Sequence, residues 1–226
     1  IHAFPDISND YALMNCGASM GEGYGPMVVA LKGVTKEEAK ANIIAIPGYK
    51  TSAYMGIKLC WGDSNYEVVP FDEIIPRILD GTYKSGLIIH EGQLTYAEHD
   101  LDVLVDLGIW WNEKTGGLPM PLGGNVVRRD LGREMMEDIT MYTKMSIEHS
   151  ISNPDEALEF AKKWGRGIDD ATNREFVTMY VNDRTIDYKK EGRDSIRQFL
   201  KEGQRIGLID SNFDVDGLKF IGSPEE

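Results

Sequence analysis

The amino-acid sequence predicts an α/β fold, and three observations carry that reading. Short apolar runs alternate with stretches of helical periodicity through the first half of the chain. From Arg133 onward the pattern is almost entirely helical. With 226 residues, 42% hydrophobic and 27% charged, the chain can bury a substantial core, as one large domain or as two small lobes.

Taken in order, Tyr11 to Asn15 reads as a strand, residues 17–25 as a glycine-rich turn, and Met27 to Leu31 as a second strand. Thr35, followed by Glu37 and Glu38, has the composition of a capped helix start. Asn42 to Ile46 is a buried strand, Pro47-Gly48 a turn, and Thr51 to Cys60 a helix. Val68, Val69 and Pro70 mark another strand, Phe71 to Leu79 a helix, and Ser85 to Ile89 an apolar strand ending at His90. Strands that alternate with helices in this way imply a largely parallel sheet. A strand after Asp100, through Leu104, leads to Trp110, Trp111 and a loop over residues 116–124, whose glycines would permit hinge-like bending. Helices are expected over Arg133 to Ser150, Pro154 to Trp164, Asp170 to Val181 and Asp187 to Gly203.

Composition also excludes classes of function. A net charge of −13 would repel a phosphate backbone, so no nucleic-acid partner is expected. No apolar run is long enough to span a bilayer and the N-terminal residues lack a signal-peptide pattern, so no membrane association is expected and a cytoplasmic location is. Two cysteines, Cys16 and Cys60, lie far apart and form no CxxC pair, which argues against a disulfide scaffold and a thiolate zinc site. His2, His90, His99 and His149 have no metal-binding spacing. Asn212, Asp214, Asp216 and Gly217 imitate the start of a calcium loop, but Ser223 stands where a bidentate Glu is needed. Gly17-Ala18-Ser19-Met20-Gly21 spells the GxSxG of serine hydrolases, yet further glycines and Pro26 follow it where that motif requires a helix. No metal dependence is therefore expected.

Several segments in order become specific together: Cys16 through Pro26, Thr51-Ser52-Ala53-Tyr54, Leu87-Ile88-Ile89-His90-Glu91, Asp106 through Trp111, and Tyr180-Val181-Asn182. Over essentially its whole length the chain resembles the 1,4-dihydroxy-6-naphthoate synthase family of the futalosine route to menaquinone. The resemblance implies a two-lobed, periplasmic-binding-protein-like (type II) fold with a ligand cleft between lobes. It places residues 1–30 and 122–226 in lobe I and residues 31–121 in lobe II. It also implies a lyase that splits cyclic dehypoxanthinylfutalosine into dihydroxynaphthoate and a small sugar-derived fragment. Family members carry a further strand, helix and strand, with a serine-bearing substrate turn, ahead of the point that matches Ile1.

Within that frame His90 is the candidate catalytic base, because a histidine at the C-terminal end of a strand, beside a crevice, is suited to proton transfer near neutral pH. Without the resemblance, a packed structural histidine would be the simpler reading. Thr51, Ser52 and Ala53 are the candidate substrate-binding residues, since a hydroxyl-rich helix start offers backbone N–H groups to a carboxylate. The plainer alternative is an ordinary N-cap. Trp110 and Trp111 could wall a flat product or belong to the core. The expected partner is a small carboxylated substrate, and a homodimer is allowed but not specified. A chorismate dehydratase of the same pathway and a non-catalytic small-anion binder are the competing readings.

Overall fold

The computed structural model describes residues 1–90, 92–162 and 170–223. In chain order the elements are α1 (Phe4–Ile7), β1 (Tyr11–Met14), β2 (Ser19–Gly21), β3 (Met27–Leu31), α2 (Lys36–Ala41), β4 (Ile43–Ile46), α3 (Ser52–Trp61), β5 (Asn65–Val68), α4 (Ile74–Leu79), β6 (Ser85–Ile88), α5 (Gly92–Thr95), β7 (Leu101–Asp106), α6 (Leu107–Thr115), β8 (Met120–Gly123), β9 (Val126–Arg128), α7 (Arg133–Ser152), α8 (Pro154–Ala161), α9 (Asp170–Tyr180), α10 (Asp183–Ile186), α11 (Lys189–Arg205) and β10 (Phe220–Ile221). Glu91, expected beside His90, and Trp164, expected to end the Pro154 helix, lie outside the described residues.

The chain divides into two compact units: residues 1, 3–20 and 121–226 form one, and residues 2 and 21–120 the other. The first crossing thus falls between Met20 and Gly21, earlier than the boundary after residue 30 that the sequence suggests. The reason is β3, which hydrogen-bonds into the sheet of the second unit instead of ending the first.

In the second unit the sheet order is β5-β4-β6-β3-β7. β4 runs parallel to β5 and β6, whereas β3 lies antiparallel to both β6 and β7. The sheet is therefore mostly parallel with one reversed strand, which corrects the expectation of simple alternation only at β3. β4 reads Ile-Ile-Ala-Ile and β6 reads Ser-Gly-Leu-Ile because both are covered on two faces, and a continuous apolar run suits such strands better than alternation. Gly86 lets α4 approach β6 closely: a Cβ there would lie 2.4 Å from Ile74 Cγ2. The core on this side joins Val29, Ala45, Ile74, Ile78, Ile88 and Leu101.

α2 begins with the anticipated cap. Glu38 N–H donates to Thr35 Oγ1 and Thr35 N–H donates to the Glu38 carboxylate, at 3.2 and 2.9 Å. The helix carrying the two tryptophans was not legible as one. Asp106 caps α6 by accepting N–H bonds from Gly108 and Ile109 at 2.8 and 3.0 Å, and Gly116 ends it in the left-handed region at φ 72°. Trp111 is fully buried, so at least that tryptophan is core, while Trp110 remains half-buried. The expected 116–124 loop also contains β8, which pairs with β2.

The first unit has a three-stranded sheet of order β10-β1-β9, with β1 parallel to β10 and antiparallel to β9. Ala12, Met14, Cys16, Val127 and Met136 of α7 pack as one cluster. α11 buries Ile196, Phe199, Leu200 and Gly203, the spacing of a single helical face.

Candidate functional site

Parallel β4 and β6 are hydrogen-bonded neighbours, with Ile44 opposite Ser85 and Ala45 opposite Gly86. The segments leaving their C-terminal ends therefore emerge side by side along one edge of the sheet. From β4 comes the turn that leads into α3, and from β6 comes His90. β3 enters the sheet from that same edge because it runs in the opposite sense, so the glycine-rich residues 21–25 lie there too. β7, on the far side of β3, ends at this edge in Asp106. Binding sites in open α/β sheets form outside the carboxyl ends of strands for this topological reason.

The glycines of residues 21–25 are explained by close backbone approach. A Cβ on Gly25 would lie 2.8 Å from the Gly108 nitrogen, and one on Gly108 would fall on the Tyr24 carbonyl. Gln93 Nε2 donates to the Gly25 carbonyl at 2.5 Å, which ties α5 to the same segment. Ser19, the middle residue of GxSxG, opens β2 with no helix after it, so the strand-to-helix elbow of a hydrolase is not formed. Burial pushes the Asp106 carboxyl above the usual carboxylate range, although N–H groups of Ile109, Gly108 and Gly25 favour its charged form.

His90 is half-buried and sits just beyond the end of β6, with its ring tilted against Phe71 at 5.7 Å between centroids. Gly92 N–H donates to His90 Nδ1 at 2.9 Å. A backbone amide can only donate, so Nδ1 holds the lone pair and the neutral ring carries its proton on Nε2. Gly92 also gives the ring its space. A Cβ at that position would stand 2.7 Å from both His90 Cε1 and Ile75 Cδ1.

At the start of α3 the capping reading holds for Thr51. Thr51 is the N-cap: its Oγ1 accepts the Tyr54 N–H at 3.0 Å and donates to the Gly48 carbonyl at 2.9 Å. The Thr51 carbonyl accepts the Met55 N–H at 3.3 Å. The amides of Ser52 and Ala53 take no part in these cap bonds, and they are the first two of the helix. The turn is thus an ordinary cap, with Ser52 and Ala53 opening the helix behind it.

Sequence reasoning missed His2 at this place. Its Nδ1 lies 3.1 Å from the Thr51 carbonyl, its N–H donates to Ser52 Oγ at 3.4 Å, and its ring is stacked with Tyr54 at 6.4 Å. No local pattern could have signalled it, since 49 residues separate His2 from Thr51. His99 and His149 are both exposed, and the calcium-like residues are engaged otherwise: Asp214 accepts the Gly217 N–H and Asp216 pairs with Lys201. Among the described residues no helix is long and apolar enough to cross a membrane.

A family model described as menaquinone biosynthesis matches residues 1–205. A 1,4-dihydroxy-6-naphthoate synthase from Thermus thermophilus is 32% identical over 206 residues, covering 91% of this chain and 75% of that protein. Among solved structures, protein AF1704 from Archaeoglobus fulgidus superposes with a TM-score of 0.86 at 39% identity, covering 92% of this chain and 77% of that one. The periplasmic aliphatic sulphonate binding protein SsuA from Escherichia coli matches with a TM-score of 0.66 at 10% identity, covering 97% and 76%, a likeness of fold alone.

Proposed function

The chain belongs to the menaquinone-biosynthesis family, and from that membership we propose that it is the carbon–carbon lyase forming 1,4-dihydroxy-6-naphthoate from cyclic dehypoxanthinylfutalosine. His90 acts as general base, and the turn at Thr51, Ser52 and Ala53 holds the substrate carboxylate. The observation that carries this reading is the adjacency of β4 and β6, whose C-terminal ends deliver an imidazole and a pair of helix-start amides to the same sheet edge. The reading has no metal or organic cofactor in it.

In this reading the proton step takes its form from the hydrogen bond at His90. The lone pair that receives the proton is on Nδ1, which Gly92 N–H holds in the resting protein. Uptake of a proton at Nδ1 therefore releases that amide, while Nε2 keeps its own proton. The carboxylate, held by amides at the positive end of α3, keeps the substrate in register with the ring.

The test is incubation of the purified protein with cyclic dehypoxanthinylfutalosine and, separately, with chorismate, followed by product analysis. Dihydroxynaphthoate from the first substrate is expected, with His90→Ala lowering turnover by about 10²-fold and leaving the circular dichroism spectrum unchanged. Consumption of chorismate would identify a dehydratase instead. Saturable binding of the futalosine derivative without product would leave only a solute binder.

A further inference from the structure

The β3–β6 ladder ends with Met27 opposite Ile88. Carried two residues further in the same register, it would set Gly25 opposite His90. β6 stops at Ile88 instead, the chain turns, and the Gly25 carbonyl accepts a hydrogen bond from the side chain of Gln93, Nε2 to O at 2.5 Å. A carbonyl can only accept, so the group facing it is the amide NH2 and the side chain has one orientation. Gln93 is 3% exposed, a rare degree of burial for glutamine, and both ends of this bond lie in the second unit.

Backbone bonds already make residues 90–93 one turn, whatever side chain stands at position 93. The N–H of residue 93 donates to the His90 carbonyl and the Gly92 N–H to His90 Nδ1, both at 2.9 Å. These bonds hold the ring to its own turn, but they do not fix the turn against the sheet. The Gln93 side chain supplies that second constraint, and its anchor is itself held. A Cβ on Gly25 would lie 2.8 Å from the Gly108 nitrogen, and the carbonyl of the next residue, Pro26, accepts the Leu107 N–H at 2.9 Å. The side-chain amide thus stands in for the ladder bond that β6 gives up: His90 leaves the sheet while its turn stays tied to the segment entering β3.

We infer that Gln93 is a positioning residue for His90, its buried amide fixing the turn that carries the imidazole against the Gly25 carbonyl. The inference rests on the reading of His90 as base given above and deepens it. Gln93 touches no reacting atom. Its loss lets the turn shift, and the ring with it.

Gln93→Met keeps the length and burial of the side chain and removes the donor. Assayed on cyclic dehypoxanthinylfutalosine below its melting transition, Q93M should show kcat lowered by about 10-fold or more, the consequence of a displaced base. KM should stay within about 3-fold, the pattern of a defect confined to the chemical step. Wild-type kcat in a Q93M protein with a lowered Tm makes Gln93 a packing residue and overturns the inference. Gln93→Glu covers the case in which Q93M does not fold, since it has the same shape and donates to Gly25 only while its carboxyl is protonated. The ratio of its kcat to that of the wild type should fall by about 10-fold as pH rises from about 5 to about 8. A ratio near one at every pH overturns the inference. A third readout needs no substrate: nuclear Overhauser contacts between the rings of His90 and Phe71, whose centroids are 5.7 Å apart, report the imidazole against a residue outside its turn. They should weaken in Q93M, and unchanged contacts overturn the inference whatever the kinetics show. A wild-type protein without turnover refutes the lyase reading, and the ring contacts then decide alone whether Gln93 holds His90 in place.

Discussion

Gly92→Ala is the most incisive perturbation of the proposed proton-transfer site. Gly92 does not lie in the left-handed region, so its backbone accepts alanine without strain, and at the start of α5 the exchange favours the helix. The whole effect is steric. The new methyl would stand 2.7 Å from His90 Cε1 and from Ile75 Cδ1. Ordinary carbon contacts lie at ~3.5 Å or more, so the ring must yield by about 0.8 Å or turn, with Ile75 resisting from the other side. Misplacement of a reacting group by about 1 Å costs on the order of 10²-fold in rate. G92A should therefore lower kcat by 10- to 100-fold, an increase of about 1.4–2.7 kcal/mol in the barrier. Overpacking should take ~1–3 kcal/mol from stability, visible as a lower Tm without loss of the folded state at 25 °C. The decisive assay is a double-mutant cycle on naphthoate formation. If Gly92 acts through the placement of His90, adding G92A to H90A costs little further in kcat. A G92A protein with wild-type kcat, or full additivity with H90A, would refute the reasoning.

Three further outcomes follow from the same geometry. Thr51→Ala removes the α3 cap, worth about 1 kcal/mol, and should lower Tm by roughly 2–4 °C for a chain of this size, whereas Thr51→Ser should stay within about 1 °C; equal losses in thermal melts would assign the effect to the methyl group instead. Asp106 has its carboxyl pKa raised by burial above the ordinary 3.8, so the native state holds that proton more tightly than the unfolded chain. Stability contributed by this group rises as pH falls through the raised native value toward 3.8 and is lost as pH climbs back. Asp106→Asn keeps an acceptor for the α6 cap and does not titrate, so urea melts should show wild type gaining on D106N as the pH is lowered toward 3.8; a pH-independent difference would refute the burial argument. Trp111→Ala should cost ~3–5 kcal/mol because the side chain is fully buried, and Trp110→Ala much less; comparable losses in denaturant melts would contradict the division between core and half-buried ring.

Much of this chain was legible because its signals are local. The capping box at Thr35 and Glu38, the Pro47-Gly48 turn before the Thr51 helix, and the apolar runs of β4 and β6 all lie within a few residues of the structure they specify. Hydrogen-bond partners at short separation can be read from residue types alone. The tryptophan-bearing α6 escaped because its cap, Asp106, closes a strand and opens a helix in one residue, leaving no turn to mark the change. The reversed direction of β3 escaped for another reason, since apolar content determines burial and not strand polarity. Placement of His90 and the Thr51 turn at the end of their strands was also a local matter.

What tertiary structure alone decided concerns partners distant in the chain. Residue types could say that Thr51 caps a helix, but not that His2 would bond its carbonyl. Family resemblance could nominate His90, yet its tautomer depends on where the Gly92 amide points once the chain turns after β6. Gly25 reads as part of a glycine-rich turn, and only its packing against Gly108 makes the pair a site of close backbone contact. Sequence periodicity encodes which face of an element is buried. The direction of a hydrogen bond between residues tens of positions apart is set by the path of the whole chain, and no local pattern records it.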